Sequence, residues 1–286
     1  MIINRGKTEE KIAESYLKWI SARDKAKEDS PKESTPVTPV SLEIEEPFIL
    51  TYNDYGKELI TKSNELFKGT KAEISIDNLQ ANQEIPNMYI LKRLALITTI
   101  CKDPQLKNYG FLPITPLQSE QLLKQGKLPK PDQYWEDLAL ILYDLNGTNP
   151  KEAQASKQSL QEHKQELGLS NSDLESRLLI INSGLEKDSS MPNKVKPIIL
   201  PGLTQVYAHE TLKKTGEHKF EYGLEHGWPG ASDLGKGSRD LYMPSSNENI
   251  GLRVLYRYGG LYLVAWYEDL VCSYLDGRVN FARQKL

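Results

Sequence analysis

Cysteine is nearly absent: Cys101 and Cys272 are the only two in 286 residues, which excludes a disulfide framework, and neither stands in a metal-binding or redox spacing. A basic excess is absent too. Lys and Arg number 36 against 39 Asp and Glu, a net charge of −3, so nothing predicts attraction to nucleic acid or to anionic lipid. No apolar run approaches the ~18 residues of a membrane span. The opening M-I-I-N-R-G-K lacks the apolar region of a signal peptide. Hydrophobic content is 38%, low but sufficient for a globular core with polar appendages.

Signatures of chemistry are equally scarce. His209-Glu210 is not followed by the second histidine of a zinc-protease helix. Gly230, Gly235 and Lys236 have the spacing of a phosphate-binding loop, but Gly237 replaces the required Ser or Thr and no apolar strand precedes it. His218, His226 and Glu225 share a glycine-rich stretch without a fixed ligand spacing. Neither cysteine has a histidine beside it in sequence to activate a thiolate, and the one adjacent cation is Lys102 after Cys101. Asn146-Gly147-Thr148 is a glycosylation sequon by pattern alone. The expectation is no catalytic residue, no metal and no cofactor.

What is present divides into two parts. Lys7–Lys25 has Ile12, Tyr16 and Ile20 on one face and reads as an amphipathic helix; Asp24–Glu46, rich in Pro, Ser, Thr and charge, reads as a linker. Residues 1–46 therefore precede a body of 47–286. In the body Met88–Cys101 carries Ile90, Leu91, Leu94, Ile97 and Ile100 at helical spacing. Thr115-Pro116-Leu117-Gln118 has the capping residues of a helix start. Trp135–Tyr143 is a third apolar segment, and Pro150–Leu167 reads as a polar, solvent-facing helix. Leu178–Asn182 and Ile198–Leu200 read as short strands, and Tyr222–Asn249 as a long irregular stretch. The class is α+β, helices first and an antiparallel sheet late.

That late sheet is the most informative stretch. Leu252–Arg257 alternates, Gly259-Gly260 suits a two-residue hairpin turn, Leu261–Trp266 follows, and Arg278–Arg283 is a third strand after Asp276-Gly277. Tyr256, Tyr258, Tyr262, Trp266, Tyr267 and Tyr274 crowd into it, although aromatics are 8% of the chain. Such density fits either a recognition surface, where Tyr and Trp give large stiff contacts, or a packed core whose hydroxyls reach solvent.

The run G-L-R-V-L-Y-R, an aromatic insert, then D-G-R-V-N-F-A-R resembles the variable region of diversity-generating retroelement variable proteins, most closely their archaeal and archaeal-virus branch. The blocks W-E-D-L-A-L (135–140), V-K-P-I-I-L-P-G-L-T-Q-V-Y (195–207) and L-G-K-G-S-R (234–239) are similar to the same family, so the resemblance covers roughly 48–282. It implies a C-type lectin fold related to formylglycine-generating enzymes, with helices packed around a small antiparallel sheet and a variable region at about 252–283. Asn247–Val254 is similar to the N-x-x-G-F-R-V strand of that superfamily. The implied function is binding of a protein or cell-surface ligand, not catalysis.

Diversification in that family replaces adenines, chiefly in Asn-type codons, and changing the two adenines of such a codon never yields Trp, Glu, Gln, Lys or Met. Tyr258, Tyr262, Val264, Tyr267, Val271, Cys272, Tyr274, Leu275 and Asp276 are reachable and form the expected variable, solvent-facing set. Trp266 and Glu268 are not. Leu252, Val254, Leu261, Leu263, Ala265, Trp266, Val279 and Phe281 are the expected scaffold, because variation in a core would cost ~2–5 kcal/mol per change. Two alternatives share the fold. A formylglycine-generating oxidoreductase would want paired cysteines in the C-terminal half, where Cys272 stands alone; a calcium-dependent lectin would want clustered oxygen ligands, for which Asn247-Glu248-Asn249 is the sole candidate run.

Overall fold

Leu178–Ile181 and the second half of Trp135–Leu142 are apolar at consecutive rather than alternate positions, as strands are when both faces are covered. The computed structural model describes residues 45–259, 262–267, 269–271 and 276–284. The described residues fall within one compact unit, Ile44–Leu286. The expected helix at 7–25 and nearly all of the expected linker lie outside the described residues.

The described chain begins with β1 (Glu45–Ile49), α1 (Asp54–Leu66), α2 (Ile90–Lys102), α3 (Pro104–Asn108), β2 (Phe111–Pro113) and α4 (Pro116–Lys124). Next come β3 (Trp135–Leu142), α5 (Pro150–Glu162), α6 (Asn171–Leu174), β4 (Leu178–Ile181), β5 (Gly184–Lys187), β6 (Val195–Ile198) and β7 (Gln205–Ala208). A 3-10 turn (Glu210–Lys213), β8 (Glu217–Phe220), β9 (Arg239–Tyr242), β10 (Leu252–Tyr258), β11 (Tyr262–Tyr267) and β12 (Asn280–Arg283) complete it. The start of α4 carries the capping box its sequence announces, Thr115 and Gln118 each satisfying the other's backbone amide.

Among the described residues the largest sheet has seven strands, in the order β7-β4-β3-β10-β11-β9-β8, and is mixed, since β11 pairs with β9 in parallel. The α+β class stands, but the sheet is larger than the small antiparallel one expected. One face carries Leu140, Leu142, Leu178, Ile180, Leu252 and Val254 against α2 and α5. The other carries Ile141, Leu179, Ile181, Leu255, Leu263, Ala265 and, from edge strand β8, Phe220, against Leu212 of the 3-10 turn and Trp228 of the glycine-rich connection. Leu138 and Ala139, although adjacent, both join this second cluster, because the pairing of β3 with β10 shifts by one residue between Leu255 and Tyr256.

The C-terminal strands separate. β10 and β11 form the expected antiparallel hairpin, with Tyr258 paired to Tyr262; Gly260 of the expected turn lies outside the described residues. β12 does not continue that sheet. It lies between β1 and β2 in a three-stranded sheet, with Val279 and Phe281 in a core shared with α1 and α2.

Candidate functional site

Four aromatic side chains meet where the start of β3 pairs with the end of β10, with Tyr267 of β11 reaching in from beside Val254. Trp135 stacks at 4.7 Å on Tyr256 and 4.3 Å on Tyr258, and Tyr256 meets Tyr267 edge-on at 5.3 Å. A second contact, Tyr242 to Tyr262 at 5.6 Å, bridges β9 and β11. Trp135, Tyr242, Tyr258 and Tyr267 are half-buried, while Trp266 is 38% exposed. Aromatic pairs at these separations contribute ~0.5–1.5 kcal/mol beyond the area they cover, so the cluster is stiff.

The expected variable set divides. Tyr258, Tyr267, Val271 and Asp276 are half-buried. Tyr262 and Val264 are buried at 3% and 4%, contrary to the expectation that they face solvent. Their place in the sheet is the reason. β11 is flanked on both sides, with Val264 set between Tyr256 and Tyr242, and Tyr262 between Tyr258 and Asp240. Cys272, Tyr274 and Leu275 lie outside the described residues, as does Leu261 of the expected scaffold. Leu252, Val254, Leu263, Ala265, Val279 and Phe281 are fully buried. Trp266, expected to be scaffold, is exposed: the pairing with β9 ends at Val264, two residues before it.

Beneath the aromatic end runs a buried polar network that the hydropathy pattern does not reveal. Arg257 and Glu136, partners across β10 and β3, are both fully buried and meet at 2.8 Å (Nη2 to Oε2). Arg257 also donates to Ser119 Oγ and to the Pro131 carbonyl, each at 3.1 Å. Asn280, at the start of β12, donates its backbone amide to Glu136 Oε1 at 2.9 Å and its side-chain amide to Oε2 at 2.8 Å. The ion pair therefore bolts the three-stranded sheet to the large one. Next to it, burial pushes the Asp137 carboxyl up to about 7, although the Ile90 amide at the start of α2 and the Arg93 guanidinium draw it down.

The strand that enters the site is positioned by a turn. Asp144 accepts from the amides of Ile250 and Gly251 at 2.9 and 3.2 Å. Gly251 adopts φ +78°, and a Cβ there would lie 2.1 Å from the Thr148 carbonyl oxygen, so no other residue fits without movement. Nearby, Arg177 donates to both the side-chain and backbone oxygens of Asn247 at 2.8 and 2.9 Å. A guanidinium thus occupies the oxygens of Asn247, one of the three residues that the lectin alternative would offer to calcium.

The remaining motifs resolve plainly. Arg239–Tyr242, after the glycine-lysine run, is a strand, so no helix N-terminus faces those glycines to hold a phosphate. The Cys101 thiol, packed against the α2 core, is pushed up by burial, which disfavours a reactive thiolate. His218 turns to the Thr215 carbonyl; it is His209, not His218, that meets His226 and Glu225. Among the described residues, no helix is long and apolar enough to cross a membrane. Comparison with protein-family models, with curated proteins and with solved structures finds no match to this chain.

Proposed function

We propose that the chain is a ligand-binding display protein of the C-type lectin kind related to formylglycine-generating enzymes, whose C-terminal surface is diversified by a retroelement to recognise a protein or cell-surface target. The observation that carries the reading is the row of aromatics along the β10–β11 hairpin: Tyr258 and Tyr267 half-buried and Trp266 exposed, on strands whose neighbouring residues are core. A surface of stiff aromatics on a rigid sheet loses little entropy on binding, as a site built to accept many partners requires. The similarity of 251–257 and 276–283 to a retroelement variable region, together with the adenine-reachable residues, supplies the link to diversification. Binding, not catalysis, is the activity proposed.

Tyr262 and Val264 refine this reading. Both are adenine-reachable, yet both are buried. Functional copies should therefore hold large apolar residues at 262 and 264 while varying freely at Tyr258, Tyr267, Val271 and Asp276. Sequencing the neighbouring DNA and sibling copies of the gene tests this. A reverse transcriptase beside it, and a near-copy of the 3′ end differing at adenines, are the expected findings; invariance across 258–276 among siblings, or substitution concentrated elsewhere, would end the proposal.

A further inference from the structure

Away from the aromatic hairpin, two histidines from different parts of the chain converge. His209 follows β7 and is buried; His226 comes from the glycine-rich loop and is half-buried. Nε2 of His209 lies 3.3 Å from Nδ1 of His226. Two imidazole nitrogens bound to one tetrahedral Zn²⁺, each about 2.0–2.1 Å from the metal, stand roughly 3.3–3.4 Å apart. Glu225 brings a third donor: one ligand atom from each of the three residues lies within 4.8 Å of the others. Its carboxylate is 56% exposed and sits 3.8 Å from His209 Nδ1.

The loop that delivers His226 and Glu225 is held from three directions. Trp228, with no exposed surface, donates its indole N–H to Thr211 Oγ1 at 2.6 Å, locking the loop onto the 3-10 turn beside His209. Gly227 packs so closely on Pro116 at the start of α4 that a Cβ would come within 2.3 Å of it. The amide of Gly223 donates to Glu120 at 2.8 Å. Between these anchors His226 takes φ +57°, a left-handed conformation that costs a non-glycine residue energy, and its ring stacks flat on Tyr207 at 3.5 Å. A strained residue whose ring is held against a second ring, with its Nδ1 aimed at another imidazole, is a side chain fixed for contact.

We propose that His209, His226 and Glu225 form a binding site for a divalent transition metal of the Zn²⁺ type, with a coordination position left open toward solvent. Two imidazoles and one carboxylate match the donor preference of Zn²⁺ and not that of Ca²⁺ or Mg²⁺, which favour oxygen. Bound metal would pin the glycine-rich loop to the segment after β7. Its open position would accept water or an oxygen or nitrogen donor from a partner. No bond is made or broken in the proposal.

The test uses the full chain, stripped with chelator and titrated with Co²⁺ and then Zn²⁺. Co²⁺ should give d–d absorption bands that saturate at one equivalent and disappear on Zn²⁺ addition, and Zn²⁺ should raise the thermal midpoint. His226→Asn keeps a residue that tolerates the left-handed backbone and so retains the fold; it should weaken metal binding by at least the roughly 10–100-fold that loss of an outer-sphere partner alone costs. Glu225→Gln should weaken it less, and His218→Asn not at all. If the wild-type chain shows no saturable Co²⁺ bands, the two rings merely share a hydrogen bond and the proposal fails. It fails equally if His226→Asn binds as the wild type does while circular dichroism reports the same fold.

Discussion

Asp137 and Gly251 are single residues whose roles follow from what surrounds them. The unfolded Asp137 carboxyl titrates near 3.9, whereas burial lifts it to about 7 in the fold. Between those values the native state holds a proton that the unfolded chain has lost, so this group's contribution is fully present below about pH 4 and disappears as pH rises through 7. Asp137→Asn, which resembles the protonated form, should gain stability relative to wild type between pH 5 and pH 8, measured by denaturant unfolding at each pH. A flat difference across that range would refute the raised carboxyl. Gly251→Ala should cost ~2 kcal/mol or more, because it adds both a disfavoured φ and a clash with the Thr148 carbonyl. Tyr262→Ser should cost about 3 kcal/mol as a core deletion, whereas Tyr258→Ser, which gives up its ring contact with Trp135 at a half-buried position, should cost nearer 1 kcal/mol. At this scale the sequence was legible where the signal is local. Thr115 and Gln118 are three residues apart, and their capping box needs nothing else. Trp266 was not legible: its exposure depends on where β9 stops.

Elements are joined by the Glu136–Arg257 pair more than by any loop. Removing Arg257 leaves the buried Glu136 carboxylate to the more distant Arg93 guanidinium at 3.8 Å, so Arg257→Met should destabilise by up to about 3–5 kcal/mol. Glu136→Gln combined with Arg257→Met should recover part of that loss, although Asn280 would keep only some of its bonds. A double-mutant cycle in urea measures the recovery, and additive losses would show that the two side chains do not depend on each other. The hairpin of β10 and β11 was legible because alternation and glycine mark it locally. The destination of β12 was not. The run R-V-N-F-A-R specifies a strand, but Asn280 finds Glu136 and Phe281 finds the α1–α2 core only once the chain has folded around them.

For the body as a whole, one fact governs the rest: the large sheet is buried on both faces, by helices on one side and by long connections on the other. The expected irregular stretch 222–249 therefore divides: Arg239–Tyr242 is strand β9 of the sheet itself, and the part around the buried Trp228 packs on the sheet as a structural layer. Trp228 is its deepest anchor. Trp228→Ala should cost about 3–5 kcal/mol and should open residues 222–238 to limited proteolysis before the rest of the body yields. Loss of stability without selective cleavage there would mean the loop is held by other contacts. The consecutive apolar residues of β3 and β4 already implied two covered faces, but hydropathy says nothing about which segment does the covering.

The amino-acid sequence alone determined the α+β class, the positions of α2, α4, β4 and the β10–β11 hairpin, and the concentration of aromatics near the carboxyl end, because propensity, capping and periodicity act over a few residues. Tertiary structure decided which of those aromatics are buried, that β11 lies beside β9, and that His209 rather than His218 meets His226. These depend on pairings between residues far apart in the chain. A one-residue shift in strand register, as at Leu255 and Tyr256, or the point at which a neighbouring strand ends, moves a side chain from core to solvent without altering the local pattern.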